Sequence, residues 1–140
     1  LFAIQYYCAA MQDPNPAYWD EKFATDYFGG FTAPPAMLQS WTVPLPWHPH
    51  GAPGLNSISI MVPLPGDRPI NVSNDIEYFR PLYVGDIVSY FDQLMDVSEE
   101  KTTRVGTGHF ITSVGEYRNQ NDQLIARSTN ILFRYRAHDA

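Results

Sequence analysis

The stretch DPNPAY, residues 13–18, sets a carboxylate, Asp13, and a phenol, Tyr18, on either side of an Asn15–Pro16 pair. Proton transfer to and from a water molecule needs a positioned acid and a positioned base. Asp13 could serve in such a pair, but a phenol with an ordinary pKa of about 10 is a poor base near neutrality. Other chemistry-bearing residues are thinly spread. His48 and His50 flank Pro49 in WHPH without a nearby carboxylate or Cys, and so read as a surface loop rather than a metal site. His109 lies in a strand pattern with no motif around it and reads as a hydrogen-bonded structural histidine. The GxG at 106–108 lacks the helix and Lys that a phosphate loop needs, and Asp96, Glu99 and Glu100 read as a solvated turn. Cys8 is the single cysteine, which excludes an intrachain disulfide and any CxxC spacing; no metal is expected.

The formal charge of −6 argues against a general nucleic-acid binder, because affinity for phosphate backbones comes from clustered Lys and Arg. The basic residues are uneven: only Lys22, Arg68 and Arg80 precede position 100, while Lys101, Arg104, Arg118, Arg127, Arg134 and Arg136 follow it. An anionic ligand would be met there, although a solvated sheet face is the simpler reading. With 140 residues, 44% hydrophobic and 14% aromatic, the chain reads as one domain with a single core, 1–140. No apolar stretch approaches the roughly 20 residues of a membrane span, and no charged leader precedes the first run, so a cytoplasmic protein away from membranes is expected. The first residue is Leu, and the stretch is expected to come from a longer polypeptide.

The elements that must position these residues follow from pattern. LFAIQYYCAAM contains neither Gly nor Pro and reads as a helix, stopped by DPNP. Asn15 is an N-cap ahead of Pro16, and YWDEKFATDYF gives a short second helix ended by Gly29 and Gly30. In FTAPPAMLQSWTV, Thr32 can cap, Pro34 and Pro35 fit a first turn, and Met37, Leu38 and Trp41 form an apolar stripe of a buried third helix. Residues 44–57 hold too many prolines for a regular element and read as a long shaped loop. Strand patterns follow at 58–62 and 70–79, then in three long segments, DIVSYFDQLMDVS, TTRVGTGHFITSVGEYR and QLIARSTNILFRYRA. The order predicts an α+β fold in which a long curved antiparallel sheet wraps around a central helix, with Gly106 and Gly108 letting that helix approach.

YYCAAMQDPNPAYWDEKFA at 6–24, GGFTAPPAM at 29–37 and FRPLYVGD at 79–86 together resemble the MaoC-like hydratase and dehydratase family of the hot-dog fold, in its FAS1-like dehydratase branch. The resemblance implies hydration of trans-2-enoyl thioesters, or the reverse, at a segment Asp-x-Asn-Pro-x-His, with the enolate oxygen held by N–H groups at the amino end of the buried helix. Here Asp13, Asn15 and Pro16 match, but Tyr18 stands at the histidine position, leaving Asp13 as a residual catalytic candidate. Pro34 and Pro35 occupy the helix start and carry no N–H. By resemblance the chain is the auxiliary half of a double hot dog, similar in arrangement to the degenerate MaoC-like domain in the large subunit of actinobacterial steroid side-chain hydratases.

That likeness implies a catalytic hot-dog partner, a hetero-oligomer, an acyl-CoA substrate, and no cofactor beyond the coenzyme A of the substrate. Met37, Trp41 and Trp47, with the proline loop, would line a broad acyl cavity. Arg134 and Arg136 would receive coenzyme phosphates. A subunit of a fatty-acid hydroxyacyl-thioester dehydratase, or a pure dimerisation module, are the alternatives.

Overall fold

Twelve residues with uncharged side chains open the chain, and Phe2–Met11 form helix α1, which ends where Gln12 takes a left-handed conformation with φ 55°. The computed structural model describes residues 1–45, 47–51 and 57–138. They gather into two units, each assembled from three separate segments: Leu1–Val43, Tyr78–Ser89 and Arg118–Ile125 in the first, and Pro44–Glu77, Tyr90–Tyr117 and Ala126–Ala140 in the second.

The first unit carries the helices. Asn15 caps only a 3-10 turn, Pro16–Tyr18, through a bond from the Ala17 N–H, whereas Asp20 caps α2, Glu21–Phe28, through the Phe23 N–H. The cap at Asp20 is one the sequence pattern did not single out. Gly29 ends α2 at φ 83°, as glycine does after a helix. The expected third helix is a seven-residue 3-10 helix, Pro35–Trp41, with no side-chain cap. Thr32 lies two residues ahead of the N-cap position, which Pro34 occupies, and instead pairs through its backbone with Tyr83 in an isolated antiparallel bridge. Flanking bonds from the Ala33 N–H to the Leu82 carbonyl (2.7 Å) and from the Val84 N–H to the Phe31 carbonyl (2.9 Å) fix the bridge. Met37 and Leu38 are buried, but Trp41 is 40% exposed, so the apolar stripe is shorter than its spacing suggested. Ile4, Cys8, Ala17, Ala24 and Ile125 complete this unit's core.

The second unit carries most of the sheet. Strands β1 Arg68–Tyr78, β2 Ser89–Val97, β4 Gly106–Arg118 and β5 Leu124–Ala137 lie in the order β1-β5-β4-β2, and the short β3, Lys101–Thr103, pairs antiparallel with β4. The expected mixture of helices followed by an antiparallel sheet is met. Along β4, burial alternates, with Ile111, Ser113, Gly115 and Tyr117 inward, the period of a half-buried strand. Phe110 stacks on Phe133 with ring centroids 4.5 Å apart, and Phe133 on Tyr135 at 5.4 Å.

Three local expectations are corrected. Residues 58–62 form a single helical turn, α3 Ile58–Met61, rather than a strand. Ser59 is fully buried and donates to the Ser113 hydroxyl, while Pro63 and Pro65 withhold the N–H groups that a ladder would need. The single strand expected at 102–118 is a hairpin, β3 and β4, turning at Arg104 and Val105. Gly106 and Gly108 accommodate β5 and not a helix, since a Cβ at either would collide with the backbone of Arg134 to Arg136. Of the proline loop, residues 46 and 52–56 lie outside the described residues. No helix among the described residues is long and apolar enough to cross a membrane.

Candidate functional site

Every side chain of the DPNP segment is engaged in shaping its own backbone. One Asp13 carboxylate oxygen accepts from the Asn15 N–H at 3.0 Å, the Asn15 side-chain oxygen accepts from the Ala17 N–H at 3.0 Å, and Trp19 Nε1 donates to the Asp13 carbonyl at 2.8 Å. These are Asx-type turns, in which a short polar side chain imitates a peptide group. Behind them Tyr18 is only 7% exposed. Burial pushes its phenol pKa upward, and the negative charge of Asp13 and then Cys8 push it further the same way. Near neutrality Tyr18 therefore carries its proton even more firmly than a free tyrosine, and the phenolate form that could take a proton from water is rarer still. Cys8 is raised too, first by burial and then by Asp13.

The start of the 3-10 helix lies against a different space. A cavity of about 300 Å³ is lined by Ala33, Pro34, Pro35 and Leu38 on one side and by Tyr78 to Leu82 with Ile125 on the other. The Tyr78 phenol donates to the Pro35 carbonyl at 3.0 Å. Asp13 does not line this cavity; it borders a separate hollow with Cys8, Gln12, Pro16 and Trp19. The carboxylate that would hold a water and the helix start that would hold an oxyanion thus face different spaces. Beside Asp13 stands the phenol of Tyr18, and the helix starts with Pro34 and Pro35, which carry no N–H.

The remaining candidates scatter. Met37 is buried and lines neither cavity, while Trp41 lines a second cavity of about 430 Å³, of mixed character, with Leu1, Ile4, Ile87 and Asp86. Trp47 belongs to the second unit and is 72% exposed. Arg134 must be corrected from a phosphate ligand to a structural cation. It is 8% exposed, and its guanidinium donates to the Ile60 carbonyl at 2.9 Å, the Leu64 carbonyl at 2.7 Å and the Val62 carbonyl. Arg136 is exposed and faces Glu100 at 3.5 Å. His109 donates from Nδ1 to the Ser98 carbonyl at 2.9 Å, the structural role its setting suggested. His50 N–H donates to His48 Nδ1 at 3.2 Å, and no cluster of three or more potential metal ligands occurs among the described residues.

Sequence reasoning missed Tyr78 and Arg80 as cavity residues. The available signal was FRPLYVGD: it contains one of the three basic residues before position 100, directly ahead of a proline that ends the strand.

Residues 2–128 match the family described as FAS1-like, dehydratase domain region. A Thermomonospora curvata protein described as a probable enoyl-CoA hydratase alpha subunit is 32% identical over 95% of this chain. The match covers 44% of that relative, so this chain spans less than half its length. Among solved structures, the ChsH1-ChsH2 complex from Mycobacterium tuberculosis superposes with a TM-score of 0.77, at 24% identity over 99% of this chain and 79% of that one. The MaoC-like dehydratase from Rhodospirillum rubrum gives 0.65, at 20% identity over 99% and 85%.

Proposed function

The chain belongs to the FAS1-like dehydratase region family, with its hot-dog fold, and on that premise we propose that it is the non-catalytic half of a heteromeric enoyl-CoA hydratase or dehydratase. A partner hot-dog domain supplies the acid and base, and this chain shapes the space for the acyl group. The observation that carries the reading is Tyr18: a buried phenol with a raised pKa sits where a base is needed, beside an Asp13 already bonded within its turn.

Several facts support the partner. The T. curvata relative is described as an alpha subunit, and the M. tuberculosis structure is a complex of two named chains. The mainly apolar cavity of about 300 Å³ in the first unit suits the packing of hydrocarbon. A bulky acyl group is the substrate proposed, with steroid side chains among its forms, and Trp41 as one wall. Arg136, exposed at the end of β5, is the remaining candidate for a coenzyme phosphate.

The test is reconstitution. The full protein carrying this chain is assayed for loss of enoyl-CoA absorbance alone and with a catalytic hot-dog partner. Turnover only in the mixture is expected; turnover by the lone protein, abolished by Asp13→Asn, would overturn the reading.

A further inference from the structure

The 300 Å³ cavity has a wall chemistry that restricts its occupant more sharply than its size does. Its polar groups are nearly all engaged. Pro34, Pro35 and Pro81 have no N–H, the Ala33 N–H is bonded to Leu82, and the Phe79 and Arg80 N–H groups both point at the Ile125 carbonyl, at 2.8 and 3.3 Å. The Tyr78 hydroxyl is bonded to Pro35. Leu38, Phe79, Leu82 and Ile125 supply the apolar surface. Against this stands one guanidinium, Arg80, on an exposed residue, with no hydrogen bond or ion pair among the described residues.

We propose that this cavity binds a hydrocarbon group that ends in a carboxylate, with Arg80 as the counter-ion at the rim. A planar guanidinium can hold both oxygens of a carboxylate through two parallel bonds. The hydrocarbon body meets the apolar wall, and about 300 Å³ corresponds to roughly ten methylene-sized groups. The amide-bearing arm of coenzyme A is a poor occupant, because its N–H and C=O groups would lose water and find few partners here. The occupant is then either a free carboxylic acid or the far end of an acyl thioester bearing a second carboxylate. The second source deepens the auxiliary reading and rests on it; the site itself does not.

The experiment titrates the full protein with decanoate, decanol, coenzyme A and the mono-coenzyme A thioester of decanedioic acid. Decanoate is expected to bind saturably and about tenfold or more tighter than decanol, as a charge-assisted contact implies. Arg80→Gln removes that advantage while leaving decanol affinity unchanged, a control that the fold survives, and Arg80→Lys restores part of it. Binding of the thioester through Arg80 assigns the carboxylate to the acyl group; its failure where decanoate succeeds assigns it to a free acid, and both keep the site. Equal affinity for decanol and decanoate, an inert Arg80→Gln, or competition by coenzyme A alone overturns the proposal. Because enoyl-CoA turnover with the partner is read separately, loss of this site leaves the auxiliary reading standing, and the converse holds.

Discussion

The ring of Tyr90 fills the space that a side chain at Gly115 would need: a Cβ built at 115 runs into the phenol's outer carbons and oxygen. Tyr90 reaches from β2 across β4, its ring centroid 4.7 Å from that of Tyr117. The missing side chain on the central strand is thus what lets an edge-strand tyrosine lie across it. Gly115→Ala should cost about 1–3 kcal/mol through overpacking. Urea unfolding checks this, and the penalty should shrink in a Tyr90→Ala background, where the colliding ring is gone.

The same tyrosine gives the fold an alkaline weakness. Burial, followed by the charge of Asp92 and by Tyr117, pushes the Tyr90 pKa up to about 12. A raised folded-state pKa means the native protein holds the proton more tightly than the unfolded chain, whose tyrosine titrates near 10. The contribution is therefore complete below about pH 10 and lost as pH rises toward about 12. Denaturation midpoints should fall over that window, and Tyr90→Phe should flatten part of the fall. Tyr18 and Tyr78, also raised, account for a remainder.

Arg134 is expected to matter for stability. Arg134→Met strands the Ile60, Val62 and Leu64 carbonyls and should cost on the order of 3 kcal/mol. Arg134→Lys should recover less than half, because one ammonium cannot reproduce the fork. Arg136→Gln, at an exposed pair, should move stability by less than about 1 kcal/mol. Thermal and urea unfolding of the three variants decide the point. Loss of coenzyme affinity in Arg134→Met at unchanged stability would reinstate the phosphate role.

Restoring the motif should not restore the reaction. In Tyr18→His, Asp13 still bonds the Asn15 N–H, and the helix start still offers prolines in place of donors. No hydration above background is expected from the variant alone, measured by enoyl-CoA absorbance across pH 6 to 9. A bell-shaped rate profile appearing in that range would show that the imidazole alone had been missing.

Sequence alone gave most of the architecture and little of the cavity. α1, α2, β1 and β5 follow from periodicity, Pro and Gly, which act locally. The 58–62 strand failed because alternating Ser and Ile suit a strand only if the backbone is free to pair. The neighbouring carbonyls are held by Arg134, from 70 to 74 positions away, and such a partner leaves no local trace. Arg134 itself was misread for the same reason, since its guanidinium's surroundings are tertiary. The phenol at position 18 was legible in DPNPAY, but its burial and the separation of Asp13 from the helix-start cavity required coordinates.

The interlocked turns at 13–17 bear on how such domains diverge. Because Asp13 and Asn15 are occupied with peptide hydrogens, a polypeptide can surrender its imidazole without loosening this corner. Chemical competence and architectural upkeep come apart at a single position, so the surviving letters Asp13 and Asn15 testify first to a bend in the chain, whatever stands beside it.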